Sequence, residues 1–177
     1  DNGLYENTII IFAGDNGLAV GQHGLMGKQN VYEHSVGVPL MIKAAAQHTG
    51  KKTADLCYLI DVFPTLCDML QLPVPQSVDG ISLLSSLDGK EPVRDYLYYS
   101  YMDNQRGISD GTWKLIEYHV NGKRTTQLFN LKNDPWERND LSGQKKYEKT
   151  IQRLREKMAE EQKRTNDTSV FWNNFSY

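Results

Sequence analysis

The 177-residue sequence lacks the marks of a membrane, nucleic-acid or disulfide-built protein. No apolar run approaches the roughly eighteen residues that a membrane-spanning helix needs. Twenty Lys and Arg face 22 Asp and Glu, a net charge of −2, so there is no basic footprint and nucleic acid is excluded as a partner. Cysteine is scarce, with only Cys57 and Cys67. A bridge between them would cross a helix start expected at Asp61, so they read as buried free thiols. Internal repeats and low-complexity segments are absent too. What remains is ordinary globular composition, 39% hydrophobic and 24% charged, at a length that fits one medium domain or parts of two.

The informative stretch runs from Thr8 to Glu33. It opens with Thr8-Ile9-Ile10-Ile11-Phe12-Ala13, β-branched and apolar without polar alternation. Such a run predicts a strand buried on both faces inside a parallel sheet. Asp15 and Asn16 follow at its carboxyl end, where open α/β sheets bind ligands. A loop punctuated by Gly17, Gly21, Gly24 and Gly27 comes next and lets backbone approach a ligand closely. His23 and Lys28 are the titratable residues inside it. Hard oxygen ligands, an imidazole and an ammonium on one loop are the parts of a metal-assisted anion site.

Around this stretch the chain reads in order. Asp1 to Asn7 is the end of a helix or its exit loop. Val38-Pro39-Leu40-Met41-Ile42-Lys43 predicts a short strand that Pro39 confines to a start or an edge, and Ala44 to Thr53 predicts a surface loop. Asp61 is placed to cap a helix over Val62 to Leu70, with Pro64 in its first turn and a stripe of Leu66, Met69 and Leu70. From about Arg94 the runs Tyr96 to Met102, Trp113 to Tyr118 and Thr126 to Leu131 are separated by turn signals. Asn121-Gly122 favours a tight hairpin, so the region reads as an antiparallel meander. Gln144 to Arg164 carries Tyr147, Ile151, Leu154 and Met158 as one apolar stripe, a helix lying on the meander. The aromatic tail, Phe171-Trp172 and Phe175, is expected to dock. Asn166-Asp167-Thr168 and Asn174-Phe175-Ser176 are glycosylation sequons.

The segments FAGDNG, GQHGLMGKQNVYEHS and VPLMI resemble the carboxyl half of the sulfatase family, within the alkaline-phosphatase-like superfamily. The resemblance continues through Asp61 to Leu66, Val78 to Leu83, Thr112 to Ile116 and Phe129 to Pro135, in the family's order. It implies an α/β fold: 1–90 as the carboxyl-terminal part of a catalytic domain with a mixed or parallel sheet sandwich, and 91–177 as a small α+β subdomain with an antiparallel sheet and one long helix. It implies sulfate ester hydrolysis, on a sulfated small molecule, sugar or polysaccharide. Asp15 and Asn16 match the family's calcium ligands, with Mg2+ as the other hard cation that such oxygens suit. Lys28 matches the lysine that contacts sulfate. His23 matches a position that either contacts substrate or braces the loop. Gly37 is a departure, since the family often has arginine there.

The family's nucleophile is a formylglycine made within a C/S-x-P-x-R motif, and no such motif occurs here. Cys57 is followed by Tyr-Leu and Cys67 by Asp-Met. The family's first metal-binding aspartates are missing as well. The sequence therefore reads as a carboxyl-terminal piece of a larger enzyme, inactive alone and partnered by the amino-terminal remainder, where any signal region would lie. Family resemblance implies a secreted, periplasmic or lysosomal setting. Two other readings stay open: a phosphomonoester or phosphonate hydrolase on the same scaffold, and a non-catalytic binding protein that kept the fold. Plainer roles stand beside the site residues, since Asp15-Asn16 can cap a turn and Lys28 can be a solvated loop lysine. His34, His48 and His119 read as structural or exposed, and the tyrosines of Tyr96 to Tyr101 as core rather than a sugar-stacking surface.

Overall fold

The structure is a computed structural model that describes residues 2–44 and 50–169. His48, part of the loop after Lys43, the second sequon and the aromatic tail lie outside the described residues. The chain forms two units. One comprises Asp1–Asp15 with Val38–Asp95, the other Asn16–Gly37 with Tyr96–Tyr177. The short glycine-rich segment thus belongs with a sheet that begins some way further along the chain.

In the first unit, β1 (Ile10–Ala13) pairs with β4 (Leu40–Lys43) in register from Ile10 with Lys43 to Ala13 with Leu40. The pair is antiparallel, and Ile10 and Phe12 are 44% and 57% exposed. This corrects the reading of a strand buried on both faces in a parallel sheet. An unalternating apolar run reports that burial is wanted, not which way a neighbour runs, and β1 has one neighbour among the described residues. Pro39 sits immediately before β4, where its missing N–H interrupts no ladder, and its carbonyl accepts from Gly14 N at 3.2 Å.

Helix α2 (Val62–Met69), followed by the short α3 (Leu84–Leu87), starts where Asp61 and Pro64 predict. Asp61 does not cap it, however. Its buried carboxylate accepts from Tyr58 N and Ile81 N, both at 2.8 Å, and pairs with Arg94. The face that α2 buries is Pro64, Thr65 and Cys67 rather than the stripe of Leu66, Met69 and Leu70, because Thr65 Oγ1 accepts from Leu83 N at 2.9 Å and draws that side inward. Both cysteines are free thiols, Cys67 buried and Cys57 half-buried, with burial pushing the Cys57 thiol up from its ordinary value.

The second unit is built on four antiparallel strands in chain order: β5 (Leu97–Tyr101), β6 (Gln105–Ser109), β7 (Trp113–Val120) and β8 (Lys123–Asn130). Asn121 and Gly122 both take positive φ, 52° and 72°, which gives the β7–β8 hairpin the twist of its strands. Helix α4 (Glu148–Arg164) lays Ile151, Leu154 and Met158 on Tyr98, Ile108, Leu115 and Leu128. The opposite face holds Val31, Tyr32, Ile116 and Phe129. Both faces are therefore covered, so consecutive residues such as Leu115 and Ile116 are both buried. That is why the strands alternate so poorly in the sequence.

The exit of α4 is fastened by charge. Arg106 Nε and Nη2 donate to Asp167 at 2.7 and 3.0 Å, and Tyr98 Oη donates to the same carboxylate at 2.6 Å. Burial alone would raise the Asp167 carboxyl, but the hydrogen bonds from Arg106 and Tyr98 outweigh it and hold Asp167 below the ordinary range. A depressed folded value stabilises above the unfolded value of 3.8 and is lost as pH falls through the folded one. Asp167→Asn is expected to cost about 3 kcal/mol at neutral pH, because it leaves Arg106 buried without its charge partner. Its urea midpoint should also fall less between pH 6 and pH 3 than the wild type's. An unchanged acid slope would remove Asp167 from the account.

Candidate functional site

Asp15 directly follows the turn after β1 and is exposed, and Asn16 is half-buried. Asn16 Nδ2 donates to Gly17 O at 3.2 Å, which leaves Oδ1 as an acceptor for another group. Gly17 is required by contact rather than by its φ angle. A Cβ there would lie 2.0 Å from the carbonyl oxygen of His34, and Gly17 N donates to Ser35 O at 2.8 Å. The loop is thereby pinned against α1 (Glu33–Val36). A carboxylate and an amide oxygen fit a hard divalent cation, but they are two donors where such a cation takes about six to eight. Among the described residues no group of three or more His, Cys, Asp or Glu is arranged to hold a metal.

Past Asn16 the chain makes a small hairpin, β2 (Ala19–Val20) with β3 (Met26–Gly27), and His23 lies on its turn in left-handed backbone at φ 52°. The His23 ring stacks on Tyr32 with centroids 4.0 Å apart and planes 4° from parallel, and its Nε2 lies 3.2 Å from Trp136 O. His34 completes a third ring, 5.6 Å from His23 and 5.7 Å from Tyr32. Burial, then the neighbouring His23 and Lys114, lower the His34 pKa, so it is a neutral imidazole at neutral pH. Lys28 follows β3 and is exposed.

His23, His34, Gln22, Trp136, Glu137 and Arg138 are walls of a cavity of about 540 Å3, and Lys28 is not one of them. One of its walls, Glu137, belongs to a buried ion cluster. Lys114 Nζ is fully buried, 2.7 Å from Glu33 Oε1 and 3.2 Å from Glu137 Oε1, with the Tyr99 ring 5.0 Å away. Glu137 also accepts from Glu33 N at 2.6 Å. Burial raises the Glu137 carboxyl, against the pull of Lys114 and the Glu33 amide.

Of the sequence's site residues, then, only His23 is brought to this cavity. His34 was read as structural or exposed, and the residues from Trp136 to Arg138 carried no reading. The hydrogen-bonding aromatic after Asp134-Pro135 is the signal that could have drawn attention to them.

A family described as N-sulphoglucosamine sulphohydrolase, C-terminal, matches residues 21–164. The chain is 30% identical, over 93% of its length, to an N-acetylglucosamine-6-O-sulfatase of Bacteroides thetaiotaomicron, of which it covers 32%. It superposes with a TM-score of 0.83 on a protein solved in complex with its substrate D-glucosamine-2-N,6-O-disulfate, at 28% identity, covering 96% of this chain and 37% of that one. A phosphonate monoester hydrolase of Agrobacterium radiobacter gives a TM-score of 0.75 at 25% identity, over 89% and 35%. The chain spans about a third of the length of the relatives it matches. Its fold is that of the sulfatases and phosphonate hydrolases, the alkaline-phosphatase-like α/β class.

The ring stack is open to direct test. In a 15N-edited titration His34 is expected to have a midpoint below 6.5, and Lys114→Met should raise that midpoint only in part, because burial is the larger cause. A His34 midpoint at or above 6.5 in the wild type would contradict the neutral, half-buried ring.

Proposed function

The chain belongs to the N-sulphoglucosamine sulphohydrolase C-terminal family, and on that premise we propose that it forms part of a sulfatase acting on a sulfated sugar, with a sulfated hexosamine as the leading substrate class. The observation that carries the proposal is the likeness to the N-acetylglucosamine-6-O-sulfatase, sustained over 93% of the chain. The nucleophile, a formylglycine by family resemblance, comes from outside these residues, as does the rest of the metal ligand set. Operation in a secreted, periplasmic or lysosomal compartment belongs to the same proposal.

Asp15 and Asn16 are the proposed ligands of a calcium ion, or magnesium in its place. Such an ion, when bound, acidifies the nucleophile and neutralises sulfuryl oxygens. Lys28 contributes a point charge to the sulfate. A sulfate monoester carries one negative charge, which moves toward the leaving oxygen as the S–O bond breaks. A fixed ammonium is worth most at that moment. The role given to His23 is to hold the loop that carries Lys28, through its stack on Tyr32 and its bond to Trp136 O. A second reading, phosphonate or phosphomonoester hydrolysis, is favoured by the likeness to the Agrobacterium enzyme. Lys28 would serve that anion equally.

In the full-length enzyme Lys28→Ala is expected to lower turnover of an aryl sulfate by roughly two to three orders of magnitude, the scale of one lost oxyanion contact. Lys28→Arg should recover little of it, since a planar fork does not replace a compact charge. Turnover above about half of wild type in the alanine variant would make Lys28 a loop lysine only. Comparing an aryl sulfate with a phenyl phosphonate as substrates separates the two readings. Calorimetry on the 177-residue chain should detect weak calcium binding or none, because two oxygen donors compete poorly with the ion's hydration. Submicromolar affinity there would contradict a ligand set shared with other residues.

A further inference from the structure

We infer that the cavity walled by His23, His34, Trp136 and Arg138 is a carbohydrate subsite, holding an anionic pyranose unit of a glycan longer than one sugar. The inference rests on the sulfatase reading and names a second substrate contact for it, apart from Lys28.

Trp136 is the first ground for it. Its side chain is 66% exposed while its neighbour Glu137 is 2% exposed. The sequence order Trp-Glu would ordinarily bury the indole and solvate the carboxylate. Here the order is inverted because Lys114 and the Glu33 amide draw Glu137 inward, and an indole face is held out beside a cavity. A pyranose presents a flat face of C–H groups, and the negative face of an indole is its natural partner.

The second ground is backbone strain. His23 and Glu137 both hold left-handed φ, 52° and 54°, without being glycine, and both wall this cavity. Left-handed backbone in ordinary residues gathers at ligand clamps, where surrounding contacts hold it. The contacts are present here. Glu137 N donates to Asp134 O at 3.0 Å, Asp134 accepts from Asn139 N at 2.8 Å, and His23 is clasped between Tyr32 and Trp136 O. The backbone that carries the indole is thus held before any ligand arrives.

The third ground is charge and size. Arg138 is exposed on the cavity wall, and its fork suits a carboxylate or sulfate substituent. Glu137 turns its carboxylate into the ion cluster, Asp134 turns its own onto the Asn139 amide, and His34 is kept neutral. Arg138, whose charge also acts on Asp134, is the exposed cation on that wall. A volume of about 540 Å3 lies within the range of small-molecule sites, roughly 300 to 1,000 Å3.

The test compares two substrates in the full-length enzyme, a sulfated uronate–hexosamine disaccharide and an aryl sulfate. Trp136→Ala and Arg138→Ala are each expected to lower kcat/KM for the disaccharide at least tenfold relative to kcat/KM for the aryl sulfate. Trp136→Phe, which keeps an aromatic face, should restore most of the ratio. If the ratio is unchanged in both alanine variants, whether the two substrates fall together or not at all, the subsite is refuted. Should the wild-type enzyme turn over neither sulfate ester, the sulfatase reading fails, and calorimetry with the disaccharide still decides the subsite. A tenfold or greater loss of affinity in Trp136→Ala upholds it, and equal affinity refutes it.

Discussion

The second unit depends on one buried cation. Lys114 is fully enclosed, so its ammonium has lost its water, and the carboxylates of Glu33 and Glu137, with the Tyr99 ring, stand in for what was lost. Removing one partner from such a cluster costs about 3–5 kcal/mol, because a charge is left buried without compensation. The geometry matters more than the net energy. Glu33 opens α1, Lys114 lies on β7 and Glu137 belongs to the loop after β8, so a single ammonium fixes three separate pieces of chain. Gly17 is pinned by α1, and the His23 ring reaches the Trp136 carbonyl.

That dependence explains what could be read from the sequence. The local signals were clear. Asn121-Gly122 gave its hairpin, the stripe from Tyr147 to Met158 gave the helix and its inner face, and the tyrosines from Tyr96 to Tyr101 proved to centre on the core residue Tyr98. Strand β6 was silent because Gln105-Arg106-Gly107-Ile108-Ser109 has no apolar alternation. Its Arg106 is buried by a carboxylate that the sequence places 61 residues further on. Lys114, Glu33, Glu137 and Asp61 are charged residues that composition assigns to the surface, and each is drawn inward by a partner that no local pattern reveals. The same holds for the cavity. Its glycine loop was visible, while Trp136 and Arg138 enter only through tertiary contact.

The first unit shows a parallel case with less symmetry. Asp61 looked like a helix cap and is instead a junction, receiving two backbone amides and the Arg94 guanidinium. Burial of an acid with three donors is stable where burial with none is not. Cap and junction share the same residue type at the same place, so only the location of Ile81 and Arg94 tells them apart.

The bond from Glu33 N to Glu137 Oε2 joins residues 104 positions apart. Contacts of that span form late, since a long loop must close before anything rewards the closure. On a ribosome the segment Asn16–Gly37 would emerge, wait through the making of all four strands, and find its clamp only once Glu137 had left the exit tunnel. The β1–β4 pair of the first unit needs no such delay, because Lys43 reaches Ile10 across a much shorter loop. The loop with the proposed chemistry is thus among the last parts of the chain to take shape, and the interval before it does is when this protein would most need a chaperone.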